Sequence, residues 1–235
     1  MRFKRPIAVA CYLGALILLW AAGAQGDETA IRATECSKMA ESAPTTAYGS
    51  DTFTEIGNWA AGDTKNPIIQ FDISSIPAGN TVSAATLWVF NISLNALGTF
   101  NAEVAAVKQN WVETQVTWNI YSTANSWATG GAEGATDRYT PEDTASASDA
   151  SASDSISFDV TDMVSNWHES VWTNNGLMIN PVDAPVTEYY RFYSDDEATV
   201  VYRPLLIVTH AAAASGANLT VKGNLVNKGN LKVGN

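Results

Sequence analysis

The sequence predicts an all-β protein, an antiparallel jelly roll or β-sandwich with one short helix and a short β-rich C-terminal tail. Three observations predict it. Short runs of alternating apolar and polar residues dominate after residue 50, turn-forming clusters separate them, and only one stretch repeats its apolar residues at helical spacing.

In chain order, the start reads as an export signal over residues 1–24. Arg2, Lys4 and Arg5 form a basic segment, an apolar run from Ile7 to Leu19 follows, and the small residues Ala22 and Ala24 suit cleavage after Ala24. An uncleaved anchor is the alternative. Strand-like runs then occupy residues 68–73, 86–94, 102–107, 115–118, 156–160, 176–179, 186–193 and 200–209. The clearest is 86–94, where Trp88, Phe90, Ile92 and Leu94 alternate with Leu87, Val89, Asn91 and Ser93. Pro77 to Asn80, Asn95 to Gly98, Asn174 to Gly176 and Pro181 to Pro185 supply turns. The one credible helix begins at Thr161 as its cap, with Asp162 in the first turn and Val160, Val164 and Trp167 as an apolar stripe.

Residues 130–155 are rich in Gly, Ala, Ser, Thr and Asp and predict a long exposed loop. Residues 211–217 read as a linker closing a domain of residues 31–210. Beyond it, Asn-Leu recurs at Asn218, Asn224 and Asn230, a hexapeptide-like repeat tail over 218–235. Three units make about one solenoid coil, too little to bury a core alone. The tail therefore reads either as a segment for self-association or as a small meander or frayed end.

The net charge is −11. Removing the leader subtracts three positive charges and no acids, giving −14 for the mature chain (−11 − 3). Such acidity disfavours nucleic acid and anionic membrane surfaces. With the leader gone, the expectation is a secreted or cell-surface protein with no membrane insertion. Cys11 leaves with the leader, so Cys36 has no internal disulfide partner and is read as a small buried hydrophobe or as a link to another chain. The histidines His168 and His210 stand in unrelated contexts, and no nucleophile elbow, zinc-protease helix or phosphate loop is present. The sequence therefore predicts no enzyme and no catalytic residues. Asn91-Ile92-Ser93 and Asn218-Leu219-Thr220 are glycosylation sequons, the first usable only if its strand face is open.

Several motifs stand in a distinctive order. They are the run from Ile68 to Phe90 containing Asp72-Ile73-Ser74-Ser75-Ile76-Pro77, then Trp111, Glu113, Val116, Thr117, Trp118 and Asn119, then Trp127 ahead of Gly130-Gly131. Phe158 to Thr161 with Val164 and Trp167 follows, then Phe192-Tyr193-Ser194 and Arg203 to Val208, with Tyr48-Gly49 as an early element. In this order the chain resembles the DNRLRE family, related to archaeal disaggregatase and allied to alginate-type carbohydrate-binding modules. The resemblance implies a β-jelly roll of secreted proteins, often appended to enzymes or surface polymers, some members binding acidic polysaccharide.

Read physically, Asp72 caps the turn closed by Pro77 and Gly79, and Trp111, Trp118 and Trp167 pack in the core. Glu113 and Thr117 are expected to fix a strand connection by hydrogen bonds. Trp59, Trp127, Tyr139, Trp172, Tyr189 and Tyr190 are the glycan-binding candidates, since an open aromatic face stacks on a sugar ring. Arg191, with Arg203 and Lys108, is among the scarce cations for a carboxylated sugar. Asp195, Asp196 and Glu197 form an acidic turn that could hold a structural calcium, which takes roughly six to eight oxygens. The acids Glu133, Asp137, Glu142, Asp143, Asp149 and Asp154 stud the predicted loop. The expectation is a non-catalytic glycan-binding module whose partner is a polysaccharide or cell-surface glycan. The alternative is a structural or adhesive subunit that polymerises through its tail.

Overall fold

The computed structural model describes residues 26–92, 99–148 and 155–213. The predicted leader, the tail repeats, the second sequon and the distal part of the predicted linker lie outside them. The described chain is an antiparallel β-sandwich with one α-helix, as the alternation predicts. Its strands are β1 (Asp27–Ala40), β2 (Phe53–Asn58), β3 (Thr64–Phe71), β4 (Asn80–Phe90), β5 (Thr99–Ala106), β6 (Ile120–Ser122), β7 (Asn125–Ser126), β8 (Asp143–Ser148), β9 (Ser155–Asp159), β10 (Leu177–Pro181), β11 (Tyr189–Tyr193) and β12 (Leu205–Ala212), with α1 at Thr161–His168.

β1 belongs to both layers. Its first half pairs with β12 from Asp27↔His210 to Arg32↔Leu205. An irregularity between Ala33 and Glu35 then bends it onto β3, where Cys36 faces Ile69 and Ala40 faces Lys65. One layer runs β1-β12-β4-β9, and the other runs β1-β3-β10-β5-β8, with β2 and β11 continuing from β3. Between them lies a core that includes Phe71, Leu87, Phe100, Phe158, Leu177, Phe192 and Leu206. A second cluster, built from Met39, Ile68, Trp111, Val116, Trp127 and Met178, covers the other side of the β3–β10 layer beneath the connection from Val107 to Arg138. Two buried faces on one sheet explain why the neighbours Ile68 and Ile69 of β3, and Leu177 and Met178 of β10, are all buried.

The helix keeps its predicted stripe, with Val160, Met163, Val164 and Trp167 buried. Its cap differs from expectation. Thr161 is the first helical residue, and its hydroxyl donates to Asp159 Oδ1 at 2.6 Å while accepting from the Ala85 amide at 2.9 Å. The first orphan amide goes instead to a carboxylate, Asp159 taking Thr161 N at 3.0 Å, and the amides of Asp162 and Met163 favour the charged form of the nearby Glu142. Asp72 caps as predicted, accepting from Ser74 N at 2.9 Å.

Of the predicted loop, residues 130–148 are not free, and 149–154 lie outside the described residues. A 3₁₀ turn occupies Gly130–Ala132, and β8 pairs with β5 from Thr99↔Ser148 to Val104↔Asp143. Small side chains suffice here because the backbone ladder along the edge of β5 supplies the bonds. Asp137, at 1% exposure, is sealed inside this segment. Its Oδ1 takes Ala128 N at 2.9 Å, and its Oδ2 takes Thr129 N at 2.9 Å and Gly134 N at 3.2 Å. Gly131 sits at φ +72 with its Cα against Trp118, where a Cβ would fall 2.6 Å from the ring, so the Gly130-Gly131 pair lets this tryptophan close over the turn.

Other expectations are corrected. Residues 115–118 form turns rather than a strand, with Val116 N bonded to Val112 O. Residues 200–202 are a 3₁₀ turn, and β12 begins at Leu205. The predicted linker starts too early, because Ala211 and Ala212 still pair with Thr81 and Asn80. Cys36 is 1% exposed, which suits a buried hydrophobe and closes it to another chain. Asn91 is buried and bridged to Phe192, so its strand face is not open for a glycan.

Candidate functional site

Four strands and two turns converge on one cleft of about 270 Å³. Lys38 enters from β1, Phe53 and Glu55 from β2, Lys65 from β3 and Arg191 from β11, while the connecting turns add Tyr48, Trp59 and Asp63. β2 and β11 pair in register, with Arg191 opposite Glu55 and Tyr189 opposite Gly57. Gly57 lies at φ +124, and a Cβ there would fall 2.4 Å from the Glu188 carbonyl. This close approach lets Asn58 bond to Glu188 O at 2.7 Å and, through its side chain, to Ala184 O at 2.6 Å. The turn that follows lays Trp59 on Tyr189, with ring centroids 4.4 Å apart and planes 15° apart. Trp59 remains 39% exposed and lines the cleft with Tyr189 behind it.

The floor of the cleft is ionic. Glu55 Oε1 takes Arg191 Nε at 2.9 Å and Nη2 at 2.6 Å. Its Oε2 lies 3.5 Å from Lys38 Nζ, which also meets Asp51 at 3.0 Å. Lys65 Nζ pairs with Asp63, which Ser42 also bonds. Burial opposes ionisation of Asp63, but the bonds from Lys65 and Ser42 outweigh it and hold its carboxyl below the usual value. Burial first, and then the charges of Asp51, Asp63 and Glu55, raise the Tyr48 phenol above its usual value, so it stays a donor. Lys38 lies 4.4 Å from the Phe53 ring centroid, and Arg191 lies 4.5 Å from it on the same residue.

The structure thus brings Trp59, Tyr189 and Arg191 together. Tyr139 and Trp172 form a separate stacked pair, with centroids 3.9 Å apart, beside a second cleft of about 380 Å³ that Lys108 and Arg138 also line. Both rings are half-buried and pack against the core. Trp127 and Tyr190 are corrected, since neither is an open platform. Trp127 is 5% exposed and donates Nε1–H to Thr117 O at 3.0 Å, and Tyr190 is 2% exposed between the layers. Lys38, Glu55, Asp63 and Lys65 were not singled out from the sequence. Lys38, Glu55 and Lys65 lie on separate strands that only the register places side by side, and Asp63 ends the turn just before β3.

The acidic turn also regroups. Carboxylate oxygens of Asp195, Asp196 and Glu113 lie within 4.8 Å of one another. Glu197 is outside this group, and its Oε1 accepts from Thr199 N at 2.9 Å. Glu113 does tie a strand, accepting from Cys36 N at 3.0 Å. Burial, together with the charges of Asp195, Glu35 and Asp196, pushes Glu113 up to about 7 against that bond. Asp195 is likewise raised, by burial and then by Asp196, and its Oδ1 is buried without a hydrogen-bond partner.

The model of the disaggregatase related repeat domain matches residues 36–208. The chain belongs to this family. The match runs from β1 to β12 and takes in both the Trp59 cleft and the Glu113 cluster. No curated protein matches the chain. No helix among the described residues is long and apolar enough to cross a membrane.

Proposed function

We propose that this disaggregatase-related domain is a secreted, non-catalytic glycan-binding module that works through the Trp59 cleft. One observation carries the reading: an exposed tryptophan ring, stiffened from behind by Tyr189, opens on a pocket of hydrogen-bonding side chains. An apolar ring face with a few oriented polar groups is what a sugar requires. Each carboxylate of the cleft is engaged by a cation, an arrangement suited to orienting hydroxyls rather than to shuttling a proton. Export rests on the basic and apolar segments at the start of the chain, and N-terminal sequencing of the secreted form is expected to begin at Gln25.

The test is a polysaccharide-binding panel run with wild type and Trp59→Ala. Binding that falls at least tenfold in the variant, with the melt unchanged, is the expected result. Absence of binding to every glycan, or binding indifferent to Trp59, overturns the reading.

A structural calcium at Glu113, Asp195 and Asp196 is the second part of the proposal. The donor set fits, because all three donors are hard oxygens and one buried oxygen of Asp195 has no partner. A bound cation would relieve the repulsion that raises Glu113 and Asp195 and would tie β1 to the turn after β11 through Glu113 and Asp195. Adding calcium to chelator-stripped protein is expected to raise the melting midpoint, by about 2.7 kcal/mol of stability at a hundredfold excess over Kd. Asp195→Asn abolishes that response. An unchanged midpoint in wild type refutes the cation.

A further inference from the structure

Building on the glycan-binding reading, we infer that the Trp59 cleft selects uncharged sugar units, recognised through their hydroxyls, over carboxylated ones. The reason lies in what the cations already hold. Lys38 is shared between Asp51 and Glu55, Arg191 is forked onto Glu55, and Lys65 is paired with Asp63. Three cations therefore face three carboxylates, and the cleft offers no net positive charge.

Of the other described cations, one is ion-paired and the rest are held by backbone carbonyls. Arg138 pairs with Glu103 at 2.7 Å and also reaches Asn180. Lys108 Nζ donates to Ala135 O at 2.7 Å, Arg203 Nε to Glu197 O at 2.8 Å, and Arg32 Nη1 to Arg203 O at 2.6 Å. Among the described residues, every lysine and arginine has an acceptor. A uronate entering the Trp59 cleft would have to break an existing ion pair or sit beside Glu55, Asp51 and Asp63 as a fourth negative charge.

A hydroxyl meets neither obstacle. Each cation keeps donors in reserve: Lys38 is ion-paired with Asp51 at 3.0 Å and with Glu55 at 3.5 Å, and Lys65 uses two of its three N–H groups, on Asp63 and Ser42. Arg191 spends Nε and Nη2 on Glu55 and keeps Nη1. The same cleft is lined by the carboxylates of Glu55 and Asp63, whose oxygens can accept. Neighbouring hydroxyls, each both donor and acceptor, match such a mixed set, while the Trp59 face covers the C–H surface of the ring.

The experiment uses matched polymers that differ only in charge. Polygalacturonate and alginate are each compared with their carboxyl-reduced forms by calorimetric titration of the full chain at low and high salt. The expected result is at least tenfold tighter binding of the reduced polymer, changing less than twofold between the two salt concentrations and lost in Trp59→Ala. Tighter binding of the acidic polymer, weakening as salt rises, overturns the inference while leaving the glycan-binding reading standing. If no acidic, reduced or neutral polymer binds, the reading itself falls and the inference falls with it.

Discussion

Glu55 and Asp137 are buried to nearly the same depth, at 3% and 1% exposure, yet they are bonded in different ways. Asp137 holds three backbone amides of its own loop, those of Ala128 and Thr129 partly buried and that of Gly134 buried. Glu55 holds two side-chain cations, and both line an open cleft. Backbone amides have one hydrogen each, so Asp137 exhausts its partners. Lysine and arginine have donors left over, so Glu55 orients theirs without consuming them. On the proposed reading, what separates a structural carboxylate from a ligand-facing one is whether its partners keep donors unused beside a cleft, and not how deeply it is buried.

Removing Asp137 is the strongest way to break this comparison. Asp137→Ala leaves one buried and two partly buried amides without their acceptor and is expected to cost about 3 kcal/mol, lowering the melting midpoint by roughly 10 °C. Protease should then cut within residues 128–137 first. A midpoint within about 2 °C of wild type would mean that water replaces the carboxylate and that the loop is not held by it.

Glu55→Gln is the next test and carries a smaller stability cost, about 1–3 kcal/mol, because Lys38 keeps Asp51 and Arg191 still has a neutral acceptor. Its main effect should fall on glycan binding, since Lys38 and Arg191 lose their common anchor. A loss of stability comparable to that of Asp137→Ala, with binding intact, would place Glu55 in the structural class and dissolve the distinction.

How much of this was legible in the sequence follows the same line. Leu87 and Val89 of β4, the Val164–Trp167 stripe and the Asp72 turn were readable because local spacing determines which way each side chain faces. Trp59 was readable as an aromatic in a turn-rich stretch, Tyr189 as an aromatic of the predicted strand 186–193 and Arg191 as one of few cations. Trp127 reads the same way as Trp59, and only the tertiary structure separates them, by giving the Trp127 indole a carbonyl and Trp118 a glycine pair to close over. β8 escaped notice because its Ala, Ser and Thr carry no apolar signal, and its order comes from the edge of β5. Lys38, Glu55 and Lys65 belong to strands with little alternation, so the cleft existed only once the register was known.

Glu142 sharpens the comparison from between the two extremes, with the smallest effect. Like Asp137 it lies near backbone amides, those of Asp162 and Met163 at the start of α1, but it is partly exposed. Burial and the nearby Asp162 and Asp159 push it up to about 7, against the pull of those two amides. A carboxyl raised on folding favours the native state fully below its unfolded value, and that contribution disappears as pH rises through the folded value. Stability should therefore fall between about pH 4.5 and pH 7. Solvent screening limits the Glu142 share to about 1 kcal/mol, or roughly 2–4 °C in the midpoint. Glu142→Gln keeps an oxygen for the helix amides and should flatten that share of the slope, while the parallel loss from Glu113, also near 7, stays in place. An undiminished slope in this variant would show that the helix start does not respond to the charge of Glu142. Its interaction with those amides would then resemble that of Asp137 in kind, and partial exposure alone would not make a carboxylate adjustable.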